Sequence, residues 1–175
     1  ANPVLSIRKE GNTPAWGAVY EQYFQEIDKV KGQKGVLSVE KKLFVETNNG
    51  TNRQIRPVTP EQPLRIGDKV IVRLTIRTDR EMNYVFLKDL RAGCFEPADQ
   101  LSGPESRDGI WYYRSPKDVS ENFFINRLPE GTFVLEYPVY VSRSGEYAGG
   151  ISTIQCMYAP EFVSHTAGES LRIMP

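Results

Sequence analysis

The chain has 175 residues, and its 22 lysine and arginine residues are balanced by 22 aspartate and glutamate residues, so the formal net charge is zero. This length suits one domain, or one domain with a short extension, and can bury a sizeable core. Balanced charge without a basic, aromatic-rich cluster argues against nucleic-acid binding. No apolar stretch approaches the roughly 20 residues of a membrane-spanning helix, so this chain should contain no transmembrane segment.

The first 35 residues show the weakest pattern. Residues 4–9 predict a short strand that ends before Gly11. Residues 15–30 are ambiguous, because Val19, Tyr23 and Ile27 fit a helical stripe while neighbouring aromatic residues lie off it. A helix and extended chain both remain open here. The polar, glycine-containing residues 29–35 are the best linker candidate.

From residue 36 onward, apolar and polar residues alternate with the period of a half-buried strand. Short segments of this kind recur, with turn signals between them. This predicts an all-β fold, a two-sheet antiparallel β-sandwich of fibronectin- or immunoglobulin-like architecture and roughly 140 residues, with a short N-terminal β extension. The eight predicted strands are 37–46, 70–77, 83–90, 110–113, 122–126, 133–141, 151–158 and 171–174.

Two cysteines, Cys94 and Cys156, lie far apart in sequence, which excludes a close pair for zinc or redox chemistry. Two alternatives stay open. They form a disulfide, which would close a loop of roughly 60 residues and contribute about 4 kcal/mol, or both are small buried hydrophobic residues.

The charged and nucleophilic residues do not predict an enzyme. His165 is the only histidine, in a polar stretch that resembles a turn, and no serine has the flanking glycines of a nucleophile elbow. No residues have the spacing of metal ligands, so we expect no metal and no cofactor. Asp89 should lie in a strand among apolar residues, where its charge needs a partner such as Arg91, Arg73 or Arg77.

Trp111, Tyr112 and Tyr113 form the main aromatic cluster. Because consecutive residues of a strand face opposite sides, at least one of them should point away from the core. Trp111 and Tyr113 are therefore candidates for contact with a sugar or a partner domain. The alternative is that sandwich packing buries them.

Five segments fall in one order along the chain: Gly67-Asp68-Lys69-Val70, Val85-Phe86-Leu87-Lys88-Asp89, Phe95-Glu96-Pro97, Leu128-Pro129-Glu130-Gly131-Thr132 and Met157-Tyr158-Ala159-Pro160-Glu161. Together they resemble the C-terminal macroglobulin-like domain of bacterial α2-macroglobulins. The residues before them, Pro14 to Tyr20 among them, resemble the strands that return from the thioester domain in those proteins, and this favours extended chain there. The resemblance implies a C-terminal piece of a longer protein, with an extension over residues 1–35 and the sandwich over residues 36–175.

The resemblance also implies a function. The chain would be a non-catalytic module of a protease trap in the periplasm or cell envelope, with the other domains of its parent and the target proteases as partners. Met157 and Tyr158 would contact, and shield, the thioester domain, unless Tyr158 packs in the sandwich. The alternative is a stand-alone envelope binding or adhesion module, which would bind a glycan through Trp111 and Tyr113.

Residues Gly93 to Pro97 resemble the family's thioester motif, Gly-Cys-x-Glu-Gln, in which the glutamine side chain acylates the cysteine. Pro97 stands at the glutamine position here. Proline has no side-chain carbonyl, so Cys94 cannot form a thioester in this motif.

Overall fold

The structure is a computed structural model that describes residues 5–17, 19, 22–49 and 52–175. Strands dominate it, and the described residues contain no α-helix and one short 3-10 helix, Ile27–Lys29. The predicted all-β class is therefore confirmed. The strands are β1 Leu37–Asn49, β2 Asn52–Pro57, β3 Leu64–Arg65, β4 Lys69–Thr78, β5 Met82–Leu90, β6 Phe95–Pro97, β7 Gly103–Arg107, β8 Ile110–Pro116, β9 Ser120–Leu128, β10 Gly131–Val141, β11 Gly145–Ala148, β12 Ser152–Cys156, β13 Ala159–His165 and β14 Ser170–Met174.

Two antiparallel sheets enclose the core. One has the strand order β2-β1-β4-β10-β6 and the other the order β13-β12-β5-β9-β8-β7. A small third sheet, β11-β14-β3, contains a parallel pair between β14 and β3. Strand β4 lies at the centre of the five-stranded sheet because it pairs along its length with both β1 and β10.

The period-two pattern of the sequence places alternate side chains between the two sheets. Leu74 of β4 and Leu135 of β10 face Leu87 of β5 and Ile125 of β9 across the core, and all four are almost completely buried. Burying an aliphatic side chain of this size contributes about 1.5–3 kcal/mol. The sheets are therefore held together mainly by apolar packing.

The predicted N-terminal β extension is wrong for the described residues, because no strand forms before Leu37. Leu5 and Ile7 alternate as a strand would, yet both are exposed, and none of the strands in the described part of the chain pairs with them to form a backbone ladder. Among the described residues before Leu37, the one β-bridge is the isolated pair Gln33 and His165. Residues 4, 18, 20 and 21 lie outside the described residues.

A buried carboxylate links the two large sheets. Asp89 on β5 has no solvent exposure, and the Lys41 ammonium from β1 donates to its Oδ1 at 2.8 Å. The Ser152 hydroxyl from β12 donates to the same oxygen at 2.8 Å, and the Tyr137 hydroxyl from β10 donates to Oδ2. Burial, and next the Asp89 carboxylate, raise the pKa of Tyr137 well above its usual value, so its hydroxyl stays protonated as a donor.

The predicted partners of Asp89 are wrong. Arg73 instead binds Glu136 on the outer face of the five-stranded sheet, at 2.5 Å. Arg91 forms an ion pair with Glu121 on β9. Glu121 is also fully buried, and Arg114 contacts it at 2.7 Å. The sequence pattern could not identify Lys41, because its contact with Asp89 depends on how the two sheets are stacked.

Cys94 and Cys156 are both buried and both free, so the possible disulfide does not form in this structure. Cys156 lies opposite Val85 near the start of β5, whereas Cys94 follows the end of that strand at Leu90. Val85 and Leu90 lie about 17 Å apart along β5, so the two cysteines lie towards opposite ends of that strand, whereas a disulfide needs Cα atoms within roughly 7 Å of each other.

The first prediction concerns the buried Lys41. Lys41→Met should lower the free energy of unfolding at pH 7 by about 3–5 kcal/mol, because it leaves the Asp89 charge without its cation. Lys42→Met is the matched control, since Lys42 is the next residue and its side chain is exposed on the opposite face; it should change stability by less than about 0.5 kcal/mol. Urea denaturation measures both. Equal effects of the two substitutions would contradict the role given to Lys41.

The second prediction concerns the thiols. Without reductant, a chain made in an oxidising compartment should show two alkylated cysteines after denaturation and almost none in the native state. Burial protects both thiols, and it raises the pKa of Cys94 to about 11, so the reactive thiolate is scarce at neutral pH. Mass spectrometry counts the adducts. No alkylation after denaturation would show that the disulfide exists.

Candidate functional site

Two hairpins of the six-stranded sheet have two-residue turns of very different composition. The β7–β8 turn consists of Asp108 and Gly109, with φ values of 51° and 80°. Two-residue hairpin turns favour such residues, because both central positions adopt positive φ. The Asp108 carboxylate also accepts the backbone N–H of Val134 at 3.0 Å. This turn is explained by the fold alone.

The β12–β13 turn consists of Met157 and Tyr158, between the paired residues Cys156 and Ala159. The predicted strand 151–158 thus ends two residues early. Neither turn residue has a positive φ. Tyr158 is 81% exposed and Met157 56% exposed. A large apolar pair at a hairpin tip does not serve the turn itself, so it marks a candidate contact site.

Tyr84 on β5 lies directly beside this turn. Its backbone carbonyl accepts the Met157 N–H at 2.9 Å. Its ring meets the Tyr158 ring edge to face, with 5.1 Å between centroids and an angle of 75°. We name Tyr84, Met157 and Tyr158 the turn cluster. In the sequence Tyr84 is an ordinary outward-facing strand residue, so nothing in the pattern identified it.

The predicted aromatic contacts lie on the outer face of the same sheet. Trp111 is 70% exposed and Tyr113 48% exposed, while Tyr112 between them is buried, as alternation requires. Tyr113 pairs across the strands with Phe124, whose ring stacks on Phe86 with centroids 4.9 Å apart. The structure therefore exposes an aromatic row across β8, β9 and β5. Whether this row binds anything stays a prediction.

The remaining candidates do not assemble a reactive site. His165 ends β13 and its Nδ1 lies 3.1 Å from the carbonyl oxygen of Thr166. Asp89 is buried in the core, where Lys41 and Tyr137 donate hydrogen bonds to it. Pro97, at the position where a thioester needs glutamine, pairs with Val139 in the five-stranded sheet.

Within the described ranges, no group of three or more histidine, cysteine, aspartate or glutamate side chains is placed to hold a metal ion. No helix among these residues is long and apolar enough to cross a membrane. A groove of about 770 Å³ runs between β1, the proline-containing residues 57–63 and β14, on a different part of the surface from the turn cluster.

Comparison with known proteins identifies the fold. An α2-macroglobulin from Salmonella that had reacted with methylamine superposes with a TM-score of 0.64 and 21% identity, over 83% of this chain and 10% of that one. An α2-macroglobulin from Escherichia coli activated by porcine elastase gives 0.64 and 18%, over 83% of this chain and 14% of that one. This chain thus spans a small part of these much longer proteins.

One curated protein with a different name is also similar to this chain. Circularly permutated Ras protein 2 of Dictyostelium discoideum is 28% identical over 109 residues, which is 62% of this chain and 3% of that protein. The model of one family, described as the bacterial alpha-2-macroglobulin MG10 domain, matches residues 37–161. That match begins at the first residue of β1 and includes the turn cluster. The chain belongs to the bacterial alpha-2-macroglobulin MG10 domain family.

Proposed function

We propose that this chain is a non-catalytic docking module of a bacterial α2-macroglobulin-like protease inhibitor. Residues 36–175 form the module, and residues 1–35 lead into it from the preceding domain of the parent protein. The module holds the parent's thioester domain, or its equivalent, through Met157 and Tyr158. The parent acts as a protease trap in the periplasm or cell envelope.

The observation that carries this proposal is the apolar β12–β13 turn. Burying Met157 and Tyr158 against a partner would contribute about 1.5–3 kcal/mol for each side chain. A contact of that size can hold two domains together and still open when the parent rearranges. The Asp108-Gly109 turn of the same sheet serves as a comparison, since its two residues are explained by the positive φ values of the turn.

A second surface supports the view that this chain normally has neighbours. Large apolar side chains of the N-terminal segment stand in solvent, among them Trp16 at 94% exposure. Exposed apolar groups close together in a chain often mark contacts with another domain. The preceding part of the parent is the partner that this segment suits. Besides Trp16, the exposed apolar side chains of this segment are Leu5, Ile7, Val19, Tyr23 and Phe24.

The role of the parent is transferred from the family. The two solved relatives are described as reacted with methylamine and as activated by elastase. An amine attacks an activated acyl group, and such a group survives only where bulky side chains exclude water. Met157 and Tyr158 could supply that shield, or could bind an equivalent surface in a parent without a thioester. Target proteases would meet the parent and not this module alone.

The aromatic row supports a second candidate function. Tyr113, Phe124 and Phe86 lie side by side on neighbouring strands, with Trp111 beside them. Exposed rings on a flat sheet can stack against sugar rings, so the module could instead bind an envelope glycan. In that case the row would be the functional surface and the turn cluster would not.

The third prediction tests the docking role of Tyr158. Tyr158→Ala should lower the unfolding free energy of this chain by at most about 1 kcal/mol, since it removes an exposed ring and one edge contact. A core aromatic residue would cost about 3–5 kcal/mol. In the intact parent, the same substitution should speed hydrogen exchange in the domain that faces the turn.

Trp111→Ala is the matched control for this experiment, because Trp111 is also an exposed aromatic residue of the six-stranded sheet. It should leave exchange in the facing domain unchanged. If Tyr158→Ala has no effect on the parent, while Trp111→Ala abolishes retention of this chain on envelope polysaccharide, the glycan function replaces the docking function.

A further inference from the structure

Tyr84 has an unusual backbone for a strand residue. Its φ is 56°, in the left-handed region that bulky residues rarely adopt. Among the described residues, Asp108 is the one other non-glycine residue with positive φ. Strained positions of this kind persist where the surrounding structure enforces them, and they concentrate at functional sites. Tyr84 needs an explanation of its own.

Core packing does not explain why this residue is a tyrosine. Its side chain is 54% exposed, so the ring does not fill the sandwich. A role limited to backbone shape would favour glycine, asparagine or aspartate, which tolerate this region best. The chain uses aspartate in that way at position 108, where φ is 51°. The ring at position 84 must therefore matter for what it contacts.

Two contacts join Tyr84 to the β12–β13 turn. Its carbonyl oxygen accepts the backbone N–H of Met157, and its ring supports the Tyr158 ring edge to face. The first contact places the start of the turn, and the second restricts the side chain at its tip. A tip residue that is 81% exposed would otherwise lose considerable rotamer freedom on docking.

We propose that Tyr84 is a positioning residue for the docking turn, which it organises before the partner binds. This inference rests on the proposed function. The three side chains of the turn cluster carry no charge, so the partner surface should be an apolar depression on the parent's thioester-type domain that accepts the Tyr158 ring and the Met157 thioether. The ring contact, and not the backbone strain alone, is what docking requires.

The experiment uses Met157 itself as the probe, in the intact parent protein. Dilute hydrogen peroxide transfers oxygen to the thioether and gives the sulfoxide and water, and mass spectrometry follows the rate at each methionine. Docking should slow oxidation of Met157 relative to its rate in this 175-residue chain. Met174 is an internal reference, because it is 37% exposed and lies on β14, outside the turn cluster. The comparison of the Met157 rate in the parent with its rate in this chain tests the proposed docking function, independently of any role for Tyr84.

Variants at position 84 then test the new inference. Tyr84→Asn keeps the backbone conformation but removes the ring, and it should raise the rate at Met157 in the parent about twofold to tenfold, the factor that an edge-to-face aromatic contact contributes to an equilibrium. Tyr84→Phe keeps the ring and should leave the rate unchanged. Met174 should respond to neither variant.

The alternative outcomes are distinct. Equal Met157 rates in the parent and in this chain would remove the proposed docking function. Slow oxidation in the parent that Tyr84→Asn does not change would overturn the positioning role and leave docking intact. Denaturation of this chain gives a further check: Tyr84→Gly and Tyr84→Asn should keep or raise the urea midpoint. A large fall in both would make Tyr84 a structural residue and overturn the inference.

Discussion

The buried charge of Asp89 is the constraint on which the arrangement of the two sheets depends. An ionised carboxylate without solvent exposure is tolerated only where cations and hydrogen-bond donors surround it. Here the donors come from both sheets, Lys41 and Tyr137 from one and Ser152 from the other. Apolar packing is non-directional, whereas these bonds require donors from both sheets to converge on one carboxylate. The network therefore fixes the stacking that apolar contacts stabilise.

This anchor lies on the same two strands that present the turn cluster. Strand β5 carries Asp89 near one end and Tyr84 near the other, and β12 carries Ser152 at its start and leads into Met157 at its end. The paired strands β5 and β12 thus form polar bonds with the opposite sheet at one end, and they expose apolar side chains at the other. A contact surface built on paired, anchored strands loses little conformational entropy when it binds.

Much of the sandwich could be predicted from the sequence, because β10 is long and buries every second residue from Phe133 onward, and β4 does the same apart from Ile71. Strands β7 and β11 could not, since Gly103–Arg107 and Gly145–Ala148 have no apolar alternation and pair through tertiary context. The turn at Met157 could not be predicted for the opposite reason, because its residues have the apolar pattern of a strand end. Position 84 has an ordinary strand residue, and a left-handed φ leaves no trace in composition when the residue is not glycine.

The central claim is that the β12–β13 turn is an interdomain contact, and a cryo-electron microscopy structure of the intact parent, before and after protease cleavage, tests it most directly. In the uncleaved state Tyr158 should lie in an apolar depression of the preceding domain, and its exposed fraction should fall from 81% to a small value. After cleavage the ring should return to solvent or to a different contact. A Tyr158 that is equally exposed in both states would contradict the docking role.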